Sequence, residues 1–310
     1  MLDANTPVAK ARPRIGFIGT GLIGTPMVQR LLECGLSVAV WNRTVSKAMP
    51  LVEHGATLTD SPRALAAACD IVCLCLTNTS AVHDVVFGEQ GIDAVLRSGQ
   101  LLIDLSSIAP DTTREMAERL ASVCGARWID APVSGGLALA RAGRLIVFAG
   151  GAADDIARAA PVFEALSHRV THMGGHGAGQ LAKSCNQMIV ACNLVTIAEM
   201  LAFASKSGID ATKLPGALAG GFADSLPLQI FGSRMAAGVV TPRIGGLGTF
   251  RKDIDQVVRL AGECGAYAPM ATRASEVMLE ASRTELIGPD PDVSRIIALF
   301  LDHAASGGDS

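Results

Sequence analysis

A chain of 310 residues is long enough for two domains and a large buried core. Apolar residues make up 49% of it and aromatic ones only 4%, with 33 glycines, which suits closely packed helices and a parallel sheet. The 26 basic and 29 acidic residues leave a net charge of −3 with no block of Lys or Arg, which argues against nucleic acid or a membrane surface as partner.

Met1 to Pro13 has no apolar run of signal-peptide type and reads as a flexible lead-in, residues 1–13. Ile15, Phe17 and Ile18 make a short strand that runs into Gly19-x-Gly21-x-x-Gly24. Apolar residues then return at helical spacing in Leu22, Ile23, Met27 and Leu31. In a strand, glycine turn and helix of this order, Gly19 permits the tight turn and Gly21 lets backbone approach a pyrophosphate. Gly24 lets the helix lie close to the strand, with its N–H groups aimed at the phosphates. Gly19, Thr20, Gly21, Leu22, Ile23 and Gly24 are therefore candidate dinucleotide-binding residues, although an ordinary glycine-rich turn of an α/β sheet has the same pattern.

A second strand, Leu36 to Trp41, ends in Asn42, Arg43 and Thr44. NAD sites usually place a carboxylate here to accept hydrogen bonds from the ribose, and this chain has none. A guanidinium at Arg43 paired with a 2′-phosphate would contribute about 1.5 to 3 kcal/mol, so NADP(H) is expected over NAD(H). The plain alternative is a solvated arginine at a strand end. Further alternation follows: a helix start at Asp60, Ser61 and Pro62, an apolar strand Ile71 to Leu76, a helix from Ser80, and a strand Leu101 to Leu105. Thr77, Asn78, Ser106 and Ser107 stand at strand ends that border a cofactor crevice, where small polar residues also serve as turn formers. A helix Asp111 to Cys124, a strand Arg144 to Phe148, a helix Asp154 to Leu166 and a last short strand Arg169 to Met173 complete a doubly wound sheet over residues 14–176.

Composition changes at Gly174-Gly-His-Gly-Ala-Gly179, and no glycine or proline interrupts Gln180 to Ser207. This long helix opens an all-helical second domain, residues 177–304. It is apolar on more than one face, which a partner subunit could cover, and Asn193, Thr196 and Glu199 mark it as a buried helix rather than a membrane span. The eight cysteines are scattered without a CxxC pair and read as reduced core residues of a cytoplasmic protein.

On the long helix, Lys183 has Asn186 and Gln187 three and four residues on, so all three project from neighbouring positions on one face. A lysine beside two amides at the start of an apolar helix suggests chemistry; a rim lysine reaching to solvent has the same spacing. Ser134, Gly135 and Gly136 have the small side chains and exposed N–H groups of a nest for a substrate carboxylate, and would look the same as a plain turn. His168, His172 and His176 recur every four residues, but the glycines around them make a helix improbable, so no metal site is expected. Hydrolysis and phosphoryl transfer lose support because no GxSxG, HExxH or GxxxxGK[ST] stretch occurs.

GFIGTGLIGTPM (16–27), DLSSIAP (104–110), DAPVSGG (130–136), GAGQLAKSCNQ (177–187) and FRKDID from Phe250 occur in the order in which the β-hydroxyacid dehydrogenases carry them. The chain resembles that family over nearly its whole length. The resemblance implies a Rossmann-type domain followed by an all-α domain joined by the long helix. It implies Lys183 as general acid/base, Ser134 to Gly136 as holders of the carboxylate, and Asn186 or Gln187 as the amide that orients the substrate oxygen. Leu76, Thr77, Ser107 and Lys252 match cofactor-contacting positions, and WNRT (41–44) is similar to the NADPH-using branch. Many members have asparagine where Gln187 stands, proline at Thr77 and threonine at Ser107. The Asn186-Gln187 pair is similar to that of tartronate semialdehyde (2-hydroxy-3-oxopropionate) reductases. The expected activity is NADP(H)-dependent interconversion of a small carboxylated aldehyde or keto acid (tartronate semialdehyde, glyoxylate or succinic semialdehyde) with its hydroxyacid, or of 3-hydroxyisobutyrate with its aldehyde, by a homodimer or homotetramer. Imine reduction, against which Lys183 speaks, and a non-catalytic NADP(H)-binding scaffold are the alternatives.

Overall fold

The computed structural model describes residues 12–289 and 291–302. The expected lead-in lies outside the described residues up to position 11, as do positions 303 and 304 at the far end of the expected helical domain. The chain forms two compact units that divide after Lys183.

In the first unit, strands and helices alternate: β1 (Ile15–Ile18), α1 (Gly24–Glu33), β2 (Val38–Trp41), α2 (Met49–Glu53), β3 (Thr57–Leu58), α3 (Pro62–Ala68), β4 (Ile71–Leu74), α4 (Thr79–Phe87), β5 (Leu101–Asp104), α5 (Pro110–Cys124) and β6 (Arg127–Asp130). The parallel strands are ordered β3-β2-β1-β4-β5-β6, so the chain leaves β1 in one direction and later returns to its other side at β4. That reversal opens a crevice at the carboxyl ends of β1 and β4, where ligands bind in sheets of this kind. β1, β4 and β5 are buried along their whole length, which explains their unbroken apolar runs. One face packs Met27, Val28 and Leu31 of α1 against Ile15 and Phe17. The other packs Leu65, Val82, Val86, Met116 and Leu120 against Ile18, Leu74 and Trp128.

Local chemistry sets the helix starts. Ser61 accepts from the Ala64 N–H at 3.1 Å with Pro62 at the first turn of α3, and Asn78 accepts from the Ala81 N–H at 2.9 Å at the start of α4.

The sheet continues differently from a simple alternation. β7 (Val133–Ser134), α6 (Gly136–Arg141), β8 (Leu145–Gly150), α7 (Ala153–Arg158), α8 (Ala160–Leu166) and β9 (Ser167–Gly174) follow, with β8 antiparallel to both β6 and β7, and β9 parallel to β8. The helix expected over 154–166 is two helices, because Pro161 restarts the ladder in the first turn of α8.

α9 (Ala178–Lys206) starts in the first unit, and from Ser184 on it belongs to the second, where its Ala191, Leu194, Ala198 and Leu201 are buried. α10 (Leu214–Leu218), α11 (Ser233–Ala237), α12 (Leu247–Cys264), α13 (Pro269–Arg283) and α14 (Ile297–Asp302) surround that core, with Ile254, Val257, Val277 and Met278 facing it. α9 is long and apolar enough to cross a membrane by length and composition, yet these core contacts are those of a packed helix. The reading of all eight cysteines as core residues needs correction: Cys69 and Cys73 are buried, whereas Cys185 and Cys264 lie on outer helix faces and are exposed.

Candidate active site

The glycine loop shows why each of its three glycines is there. Gly19 has φ +103°, and a side chain on it would strike the Cys75 carbonyl. A Cβ on Gly24 would strike the Gly19 carbonyl and lie 3.3 Å from the Phe17 ring. These two are required by the fold itself. A Cβ on Gly21 would meet nothing within 4 Å. The fold leaves room there, and a ligand that needs close backbone approach gives the glycine its reason. Thr20 adds a second sign, since its buried hydroxyl has no hydrogen-bond partner among the described residues. The loop thus fits a dinucleotide pyrophosphate. α1 begins at Gly24, so Leu22 and Ile23, expected within its apolar repeat, belong to the turn.

Asn42 shapes this loop from the end of β2. Its Oδ1 accepts from the Thr20 N–H at 3.0 Å and its Nδ2 donates to the Thr44 carbonyl at 2.8 Å, while the Gly19 N–H donates to the Trp41 carbonyl at 3.0 Å. Arg43 and Thr44 follow and are exposed.

Three strand-end loops are tied together by Ser106, expected at the crevice, and by Asp104, Asp130 and Gln180, to which the sequence assigned no role. The Ser106 hydroxyl accepts from the Leu76 N–H at 2.9 Å, fastening the end of β4 to the end of β5, and Thr77 follows as an exposed residue. The Ser106 N–H donates to Asp104 at 3.0 Å. Gln180 in the first turn of α9 accepts from the Ile108 N–H at 3.1 Å and donates to the Ser106 carbonyl at 2.9 Å, so that it brackets Ser107. Asp130 at the end of β6 accepts from the N–H groups of Gly177 and Gln180 at 2.9 and 3.1 Å, capping α9 from 47 and 50 residues away. Asp104 and Asp130 are both fully buried and stand in register on adjacent strands. Burial pushes the Asp104 carboxyl up to about 7 against the opposing bonds from Ser106, with the Asp130 charge adding to the rise. Burial also raises Asp130, against the pull of its two backbone N–H donors. The visible signal was an acid closing each of two apolar strands, LLID and WID.

Ser134 is half-buried at the end of β7, and Gly135 and Gly136 follow with φ +132° and +66°. No Cβ fits at Gly135, where Leu139 would lie 2.8 Å away, whereas Gly136 has open space. Positive φ at two successive residues is a backbone conformation that favours glycine at both. Lys183 is half-buried, one turn after Gln180 on α9.

In the second unit, Asn186 donates to Gln187 Oε1 at 2.8 Å, Gln187 donates to Asp253 Oδ2 at 2.5 Å, and Asp253 pairs with Lys252 at 3.1 Å. Gln187 is buried and both ends of its amide are engaged, while Asn186 is half-buried. Asp253, the central member of this chain, is a further residue that sequence reasoning quoted without a role. Phe231 and Phe250 stack edge to face at 5.8 Å. The three histidines do not share a face: His168 bonds to the Arg144 carbonyl, His172 to those of Gly151 and Gly174, and His176 to that of Trp128.

Residues 14–175 match the family model described as the NAD binding domain of 6-phosphogluconate dehydrogenase. Residues 177–300 match the one described as NAD-binding of NADP-dependent 3-hydroxyisobutyrate dehydrogenase. The 2-hydroxy-3-oxopropionate reductase of Escherichia coli (strain K12) is 35% identical over 265 residues, 85% of this chain and 89% of that one. The 3-hydroxyisobutyrate dehydrogenase of Pseudomonas aeruginosa is 40% identical over 196 residues, 63% and 65% of the two chains. The crystal structure of 3-hydroxyisobutyrate dehydrogenase from Salmonella typhimurium superposes with a TM-score of 0.86 at 25% identity, covering 92% of this chain and 99% of that one.

Proposed function

We propose, from the premise that this chain belongs to the β-hydroxyacid dehydrogenase family, that it reduces a small carboxylated aldehyde or keto acid at the expense of NADPH, tartronate semialdehyde first among them. The observation that carries the reading is the loop at Gly21, open to a ligand beside two glycines that the fold demands for itself. Gly19 to Gly24 would hold the pyrophosphate, Arg43 the 2′-phosphate, and Leu76, Thr77, Ser107 and Lys252 the rest of the nucleotide. When bound, the nicotinamide supplies the hydride.

The chain's own residues supply orientation and a proton. Ser134, Gly135 and Gly136 receive the substrate carboxylate through backbone N–H groups, which fixes the carbonyl end of a molecule this small. Lys183 Nζ donates a proton to the oxygen as negative charge develops on it, and takes it back in the oxidative direction. The amide of Asn186 or Gln187 orients the substrate oxygen, and the bond between them together with that from Gln187 to Asp253 holds the pair in place. The proposed setting is cytoplasmic, with no metal, nucleic acid or membrane partner. A second copy of the chain would cover the face of α9 on which Leu181, Ile189 and Phe203 are exposed.

The test is NADPH consumption over tartronate semialdehyde, glyoxylate, succinic semialdehyde and methylmalonate semialdehyde, with NADH in parallel. The expected result is turnover of at least one of them with NADPH preferred. NADPH binding by calorimetry with no oxidation across the whole panel would contradict it.

A further inference from the structure

We infer that Gln180 is a positioning residue that holds Lys183 in register with the cofactor-facing loop at the end of β5. This inference rests on the proposed role of Lys183. The Gln180 side chain is 1% exposed and both ends of its amide are used, one on the Ile108 N–H at 3.1 Å and the other on the Ser106 carbonyl at 2.9 Å. The two contacts flank Ser107, so Ser107 cannot shift along the chain direction without breaking one of them.

The same residue is fixed through its backbone. Asp130 accepts from the Gln180 N–H, and Gly179 packs so tightly that a Cβ there would lie 2.7 Å from the Asp130 carbonyl oxygen. Ser106 carries the tie one strand further, since its hydroxyl accepts from the Leu76 N–H. The loop around Ser107 and the first turn of α9 are thereby joined through a single buried amide, and the Ser106 hydroxyl adds Leu76 to them. Lys183 lies three residues along a rigid helix from Gln180, a separation of about 5 to 6 Å between Cβ atoms, so it inherits that register. Proton transfer depends steeply on such placement: a displacement of about 1 Å can lower a rate roughly 100-fold.

Gln180→Met keeps the length of the side chain and removes both hydrogen bonds. The expected result is a kcat per NADPH-binding site about 10- to 100-fold below wild type, with KM for the carbonyl substrate and Kd for NADPH within about threefold. A merely structural residue would lower Tm and the number of binding sites but leave kcat per site unchanged, and that outcome overturns the inference. Amide hydrogen exchange on the wild-type chain gives a second reading that needs neither a variant nor turnover. The Ile108 and Gln180 amides should exchange together, as members of one opening unit. Exchange of Ile108 about tenfold faster than Gln180 overturns the clamp. A wild-type chain that turns over no carbonyl substrate would remove the proposed function, and with it the catalytic purpose of the clamp, while the exchange result still decides whether the clamp exists.

Discussion

Arg43 and the Asn186-Gln187 pair show how far single residues carry the account. On the proposed reading, removing the guanidinium would delete a charge-assisted contact to a 2′-phosphate and nothing that NADH possesses. Arg43→Ala should therefore weaken NADPH binding about 10- to 100-fold and leave NADH within about threefold, as measured by fluorescence titration. Equal loss for both nucleotides would remove Arg43 from that role. Asn186 and Gln187 were indistinguishable by spacing, because positions three and four residues after Lys183 share a helix face. What separates them is Asp253, 66 residues downstream from Gln187, and no local pattern announces that contact. Asn42 was readable as a residue near the nucleotide, but its double tie to Thr20 and Thr44 could be seen only once β1 and β2 lay side by side.

At the scale of elements, the glycine loop was legible because strand, turn and helix are contiguous in the chain and each glycine has its own steric reason. Those reasons separate by experiment. Gly24→Ala forces a methyl group onto the Gly19 carbonyl and should lower Tm of the ligand-free protein by several degrees, in line with an overpacking penalty of about 1 to 3 kcal/mol. Gly21→Ala should leave Tm within about 2 °C and raise the NADPH Kd at least about tenfold, since the methyl enters open space meant for phosphate. If Gly21→Ala destabilised the empty protein as much as Gly24→Ala, the steric division would be wrong. The capping of α9 was not legible: its Ncap partner is Asp130, and only the order of the strands brings the end of β6 to that helix. The end of β5 holds a proton linkage of definite sign. Asp104 titrates at about 7 in the fold against an ordinary 3.8, so between those values the folded chain keeps a proton that the unfolded chain has released. Its favourable contribution is complete below about pH 4 and is lost as pH rises through 7. Thermal melts from pH 5 to 8 should show wild type losing stability with rising pH more steeply than Asp104→Asn; parallel curves would contradict the burial argument.

For the whole molecule, the order of apolar runs foretold a doubly wound sheet followed by helices, because parallel strands buried on both faces cannot hide their composition. The antiparallel turn through β7 and β8 escaped notice because pairing direction leaves no periodic trace in strands this short. The exposed apolar side chains Leu181, Ile189 and Phe203 share one face of α9, and covering them with a second copy is the expected association. Light scattering on the wild-type chain should give a dimer or larger assembly, and Ile189→Glu with Phe203→Glu should reduce its mass; a wild-type monomer would contradict this. The central claim is that one lysine moves the proton while NADPH supplies the hydride, and Lys183→Ala tests it directly. With the best carboxylated carbonyl substrate, kcat should fall by about 100- to 10,000-fold while NADPH affinity stays within about threefold of wild type. A Lys183→Ala chain with near-normal turnover would contradict the claim.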